Sequence, residues 1–187
     1  MMLRLFLAVD LPDPLRREVA ALCDQVTNAR WTKPEQLHIT LRFMGKTAEE
    51  ALPEIRRRLS EIRWPAFELS LEGASVFPED ARPTNARVLW LGIRGAEALA
   101  ALKCATDKSL DGVAPPEDKS GFSPHLTLAR FPRRPDQTPD QSLDRFLDAN
   151  RDFRSADWKV TCFRLYRSTL SSKGALHEVL DAYRLDY

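Results

Sequence analysis

One four-residue pattern occurs twice in this chain: His38-Ile39-Thr40-Leu41, and 87 positions later His125-Leu126-Thr127-Leu128. The two copies hold two of the three histidines in 187 residues. In an extended strand successive side chains point to opposite faces, so within each copy the His and Thr share one face and the two aliphatic residues share the other. Such a strand needs a core beneath it and an open space above. Two copies nearly half a chain apart require a fold that supplies this setting twice.

The surrounding elements repeat as well. Leu3, Leu5, Leu7 and Val9 alternate with Arg4, Phe6 and Ala8, predicting a strand with one apolar face. Asp13 as N-cap and Pro14 at the first helical position open a helix through Leu15, Val19, Leu22 and Val26 to about Asn28. A turn from Arg30 to Pro34 leads into the first motif strand, Leu37 to Met44, closed by Gly45. Thr47 and Glu50 resemble a capping box for a second helix with the stripe Leu52, Ile55, Leu59 and Ile62. Pro53 requires that this helix either begin near Pro53 or bend in its first turns. Phe67, Leu69 and Leu71 predict a half-exposed strand, and the Pro-rich turn from Pro78 to Pro83 ends this half.

In the second half, Val88 to Ile93 reads as a central strand and Ala96 to Leu110 as a helix stopped by Gly112. A Pro-rich loop, Ala114 to Ser120, precedes the second motif strand. Thr138, Pro139 and Gln141 offer the cap of a short helix bearing Leu143, Phe146 and Leu147. Strands from about Trp158 to Tyr166 and Leu176 to Leu185 close the chain. Each half runs strand, helix, His-Thr strand, helix, strand, with one strand left over. The expected architecture is α+β: a single bilobal domain over residues 1–187, with pseudo-repeat halves of approximately 1–80 and 84–187. Its two pseudo-symmetric lobes each carry an antiparallel or mixed sheet with flanking helices, and His38 faces His125 across the groove between them.

No apolar run approaches the roughly 18 residues of a membrane helix, and Leu3 to Val9 is short and broken by Arg4, so a cytoplasmic protein without membrane contact is expected. Cys23, Cys104 and Cys162 are odd in number and widely spaced, which suits buried free thiols in a reducing compartment. A net charge of +1 excludes a protein that coats nucleic acid by bulk electrostatics; any such contact is local. The clusters Arg16-Arg17, Arg56 to Arg58 and Arg133-Arg134 read as solvated faces.

Two histidines across a groove suit a reaction that removes a proton at one end and supplies one at the other. With an unperturbed pKa of about 6.5, one imidazole can be a neutral base while the other is a charged acid. Hydrolysis of a phosphodiester makes that demand, and a Thr hydroxyl beside each ring can donate to a phosphoryl oxygen. Arg42 and Arg130, near the ends of the motif strands, are read as sharing the His face, Arg130 as a clamp on phosphate. A metal is not expected, since neither copy has a carboxylate or cysteine at ligand spacing and no HExxH or HxxxH occurs. His177 has no repeated partner and reads as structural or surface. Trp31, Phe43 and Phe122 flank the motifs and read more readily as core than as a platform for a base.

Residues 30 to 45, RWTKPEQLHITLRFMG, together with FSPHLTLAR at 122 to 130, resemble the paired signatures of the two-histidine (2H) phosphoesterases. The nearest branch is the RNA 2′,3′-cyclic phosphodiesterases, also known as 2′-5′ RNA ligases; RLFLAVDLP at 4 to 12 and VLWLG at 88 to 92 extend the likeness over nearly the whole chain. The resemblance implies hydrolysis of an RNA 3′-terminal 2′,3′-cyclic phosphate to a 2′-phosphate. It implies His38 as proton donor to the leaving O3′ and His125 as the acceptor that activates water. Thr40, Thr127 and Arg130 would hold phosphate oxygens, Phe43 would lie near the terminal base, and Arg42 would contact substrate. It implies no cofactor and no metal, RNA 3′ ends as partners, a monomer without an obligate protein partner, and at most a minor 2′-5′ ligase activity. Two alternatives stay open: a cyclic phosphate on a small nucleotide, of the ADP-ribose 1″,2″-cyclic phosphate type, and a non-catalytic RNA-end binding module. Ser123 and His177 depart from the residues common in that branch.

Overall fold

Alternation in the first ten residues produces β1 (Met2–Asp10), with Leu3, Leu5, Leu7 and Val9 buried on one side. The structure is a computed structural model and describes residues 1–78, 85–116, 121–132, 141–171 and 174–186. After β1 come α1 (Asp13–Ala20), β2 (Arg30–Trp31), a single 3-10 turn (Pro34–Gln36) and β3 (His38–Ala48). Then follow α2 (Leu52–Ser60), β4 (Phe67–Phe77), β5 (Val88–Arg94), α3 (Ala96–Ser109), β6 (Leu126–Arg130) and α4 (Gln141–Ala149). The chain closes with β7 (Trp158–Val160), β8 (Cys162–Ser171) and β9 (Gly174–Arg184).

The strands form one nine-stranded sheet in the order β7-β4-β5-β6-β3-β1-β8-β9, with β2 also paired to β6. Every pairing among the described residues is antiparallel. The sheet divides where β3 meets β6, a joint with the single register pair Ile39 and Leu126. On one side lie β3, β1, β8 and β9; on the other lie β6, β5, β4 and β7. β4 therefore joins the β6 side although it belongs to the first half of the sequence, and β8 and β9 extend β1 although they belong to the second.

One core lies on one face of the sheet. It joins Leu5, Leu7, Ile39, Leu41, Leu89, Leu91, Leu126 and Leu128 to the apolar faces of all four helices, through Leu15 and Val19, Ile55 and Leu59, Leu99 and Leu102, and Leu143 and Phe146. At about 1.5–3 kcal/mol for each fully buried aliphatic or Phe side chain, this layer is the main source of stability. On the opposite face is a separate small cluster of Phe6, Ala8 and Tyr166. That second face carries the site.

Several local expectations change. α1 ends at Ala20, well short of Asn28, and Asp24 and Asn28 adopt left-handed backbone (φ 67° and 59°) in the turns that follow. Pro12, not Asp13, is the cap residue of α1. Thr47 is no cap: it is buried in β3, which runs on to Ala48, and α2 begins at Leu52 with Pro53 in its first turn, where a missing N–H costs nothing. β4 continues past Leu71 to Phe77 through a bulge at Gly73, whose φ of 42° and close approach to the Arg151 carbonyl suit a residue without Cβ. The single strand expected over Trp158–Tyr166 is two, because the chain leaves β4 after Val160 and pairs with β1 from Arg164. The cysteines are free but not buried; Cys104 is exposed, and partial burial pushes the Cys23 thiol up to about 11. Positions 79–84 and 117–120 of the Pro-rich segments, the Arg133-Arg134 pair and the Thr138-Pro139 cap lie outside the described residues.

Candidate active site

The two motif strands lie side by side rather than facing each other across open space. Continuing the Ile39–Leu126 register sets His38 opposite Thr127 and Thr40 opposite His125, all four on the face turned away from the core. Each histidine thus neighbours the threonine of the other copy. Directly opposed residues sit about 5 Å apart at Cβ and diagonal ones roughly 7–8 Å apart, so the two imidazoles occupy the diagonal of a small square with hydroxyls at the remaining corners.

Bulges decide which residues join this square. Uninterrupted alternation would carry the groove face from His38 to Arg42 and from His125 to Ala129. Instead β3 gains an extra residue at Leu41 against β1, and β6 gains one at Leu128 against β5. The bulges fall at equivalent positions of the two copies and have the same effect. Arg42 and Ala129 turn to the core side, and Phe43 and Arg130 return to the groove.

Arg42, expected on the His face, is accordingly buried on the core side instead. It is 4% exposed and donates to the carbonyls of Thr106 (3.3 Å), Asp107 (3.5 Å) and Pro115 (3.2 Å), beside the Asp107 carboxylate at 3.3 Å. It closes the C-terminal end of α3, sharing the Thr106 carbonyl with the Leu110 N–H. Phe43 is 39% exposed on the groove side, where it is paired with Phe6 and covered by the Arg4 guanidinium at 4.8 Å. Trp31 packs on Phe146 of α4 as a core residue, and Phe122 lies against Lys103.

The histidines are held alike. The Nδ1 of His38 lies 2.7 Å from the carbonyl oxygen of Gln36, and that of His125 lies 2.8 Å from the carbonyl of Ser123, two residues earlier in each case. A carbonyl only accepts, so both Nδ1 atoms carry the hydrogen, and in each neutral ring Nε2 keeps its lone pair for the groove. Burial is the largest influence on both rings. It pushes the imidazolium of His38 down to about 4, opposed by the Gln36 carbonyl and assisted by His177, Arg130 and Arg16. His125 is lowered for the same reason, opposed by the Ser123 carbonyl and assisted by Arg130. One guanidinium, that of Arg130, thus acts on both rings.

Aromatic rings pack around each histidine. Phe6 lies 5.0 Å and Tyr166 6.2 Å from His38, while Phe77 lies 5.0 Å and Trp90 6.2 Å from His125. The alternation of β1 already places Phe6 on the face opposite Leu5 and Leu7. His177 is the residue that pattern alone could not place. The β8–β9 register sets it opposite Ser168, and its ring stands edge-on to His38 at 5.3 Å and 87°. A cavity of about 340 Å³ opens beside these two rings, walled further by Asp10, Arg16, Arg164 and Tyr166. Arg164 and Tyr166 both donate to the Asp10 carboxylate, which fixes the Tyr166 ring at the stack on Phe6.

An α+β sheet with paired His-x-Thr strands on its open face defines the class, and comparison with known proteins agrees. The family model of the 2′-5′ RNA ligase superfamily matches residues 11–171. An RNA 2′,3′-cyclic phosphodiesterase of Archaeoglobus fulgidus is 33% identical over 187 residues, covering 97% of this chain and 99% of that protein. Among solved structures, TT0787 of Thermus thermophilus superposes with a TM-score of 0.75 at 30% identity, covering 97% of each chain. E. coli LigT, in its complex with ATP, superposes at 0.73 with 25% identity over the whole of both chains. The chain belongs to the 2′-5′ RNA ligase superfamily of two-histidine phosphoesterases. The relatives' name puts the family-level function at cyclic phosphodiester hydrolysis on RNA.

Proposed function

We propose that the protein hydrolyses the 2′,3′-cyclic phosphate at an RNA 3′ end to a 2′-phosphomonoester, with His38 and His125 as acid and base. The crossed square of two imidazoles and two hydroxyls carries this reading. A phosphate seated in it meets one Nε2 on each side along a diagonal. Neutral His125 takes the proton of the water that attacks phosphorus, and protonated His38 gives its Nε2 proton to the departing O3′. Thr40, Thr127 and Arg130 donate to the non-bridging oxygens, where charge grows as the bond to water forms. Phosphate also reverses these electrostatics. Its negative charge offsets Arg130, Arg16 and His177, which otherwise disfavour the imidazolium of His38. Both protons pass through imidazoles, and the scheme draws on no metal.

The test is incubation of the protein with an oligonucleotide ending in a 2′,3′-cyclic phosphate, in the presence of chelator. A 2′-phosphate end is expected; absence of turnover by folded protein overturns the reading and leaves the RNA-end binding module. Joined 2′-5′ product is expected only in trace amounts, because water outcompetes a second RNA end by mass action. A small-nucleotide substrate draws support from the ATP complex of LigT, and a side-by-side rate comparison with ADP-ribose 1″,2″-cyclic phosphate separates it.

A further inference from the structure

Beyond the His-Thr square, Arg30 of β2 and Arg130 of β6 are direct cross-strand partners. Antiparallel partners project to the same face. The adjoining pair identifies which face: Ala129 is fully buried and Trp31 packs on the core, so Arg30 and Arg130 point into the groove. Both are exposed. The neighbour of Arg130 on its other side is Val88, which offers no charge.

Like charges placed directly opposite on adjacent strands destabilise a sheet. Arg56, Arg58, Arg151, Arg164 and Arg167 each stand beside a carboxylate partner, whereas Arg30 and Arg130 stand beside each other. Among the described residues, neither the Arg30 nor the Arg130 guanidinium has a hydrogen bond or an ion pair. Two guanidinium forks, side by side and unneutralised, form a cradle for an anion with several acceptor oxygens, which is the chemistry of a phosphate. Position then says which phosphate. Arg130 acts on both imidazoles whereas Arg30 is not among the charges acting on either, so the pair extends outward from the square. Across the bulge, Thr127 to Arg130 spans two pleats of β6, about 7 Å, a step comparable to one repeat of a nucleotide backbone.

Resting on the cyclic-phosphodiesterase reading, we infer that Arg30, together with Arg130, forms a second anion subsite for the phosphate on the 5′ side of the terminal ribose. The preferred substrate then carries phosphate on both sides of that ribose, as an RNA 3′ end does and a bare nucleoside cyclic phosphate does not. Arg30 is a specificity residue and takes no part in the proton transfers.

The experiment compares adenosine 2′,3′-cyclic phosphate, the same compound bearing a 5′-phosphate, and a dinucleotide ending in a cyclic phosphate. For the wild type, kcat/KM is expected to be roughly tenfold or more higher on the second and third, the size of one charge-assisted contact. Arg30→Gln is expected to remove that gain and leave the bare nucleoside rate within about twofold, and Arg30→Lys to keep part of it. A gain with the dinucleotide alone assigns the subsite to an internucleotide phosphodiester; an equal gain with the 5′-phosphate assigns it to any 5′-phosphate. No gain with either, or an equal loss by Arg30→Gln on all three, overturns the subsite while the catalytic reading stands. If no cyclic phosphate is hydrolysed, the catalytic reading falls, and equilibrium binding of adenosine 3′,5′-bisphosphate against adenosine 3′-phosphate decides the subsite: Arg30→Gln must abolish the preference for the bisphosphate.

Discussion

The two histidines share a hydrogen-bonding device, and it sets what each can do. With Nδ1 committed to a carbonyl two residues back, only Nε2 can exchange a proton with substrate. Replacing either by Ala is expected to lower kcat by about 10² to 10⁴, the range of a general acid or base. The state of His38 adds a pH signature. Burial and nearby cations hold its imidazolium at about 4; on the proposed scheme a bound phosphate raises it, so the alkaline limb of kcat is expected at higher pH than that of kcat/KM. Coincident limbs would show that phosphate does not recharge the ring. His177 adds a neighbouring cation when protonated, and His177→Phe keeps an aromatic edge on His38 without that charge. An upward move of the His38 titration, followed by NMR, is the expected result. The His-x-Thr pairs themselves were legible from spacing, since alternation is a property of the strand alone. The contact of His177 was not, because it depends on which residue of β8 faces it.

At the scale of the element, the bulges at Leu41 and Leu128 matter most. They carry Arg42 out of the groove and Arg130 into it, a reversal that counting by twos cannot foresee. Arg42 then closes the end of α3, and Arg42→Met is expected to cost about 2–3 kcal/mol, read from chemical denaturation, because the Asp107 and Pro115 carbonyls lose their buried donor while the Asp107 carboxylate keeps only Lys103. A bulge is invisible in one strand's sequence because it exists only relative to a partner. The same limit explains Thr47, whose spacing to Glu50 imitates a cap while the residue serves as a buried strand position. Arg30 and Arg130 likewise acquire meaning only as a pair, from the register of β2 on β6.

The whole molecule is built on one sheet whose middle joint is a single register pair, and the core and the candidate site meet there. Leu126 is fully buried where β3 and β6 meet, and Leu126→Ala is expected to cost about 2–5 kcal/mol, with activity falling further than the folded fraction because the square loosens. Stability also depends on pH through His38. Its folded pKa of about 4 lies below the unfolded value of about 6.5, so the unfolded chain binds more protons between the two. That contribution is present above about pH 6.5 and is lost as pH falls toward 4; by pH 5 the loss amounts to about 2 kcal/mol. Urea denaturation at pH 7 and pH 5 checks this, and His38→Gln is expected to remove that part of the difference.

By itself the sequence determined the α+β class, the repeated order of elements, the aliphatic faces that make the core, and the two His-Thr pairs opposite them. All of these follow from periodicity within single segments, where each residue's direction is set by its neighbours in the chain. Only the tertiary structure decided that the halves exchange strands, that each histidine stands opposite the other motif's threonine, and that Arg42 leaves the groove while His177 and Arg30 enter its walls. Those outcomes depend on register between segments distant in sequence, and register is set by how two strands fit each other.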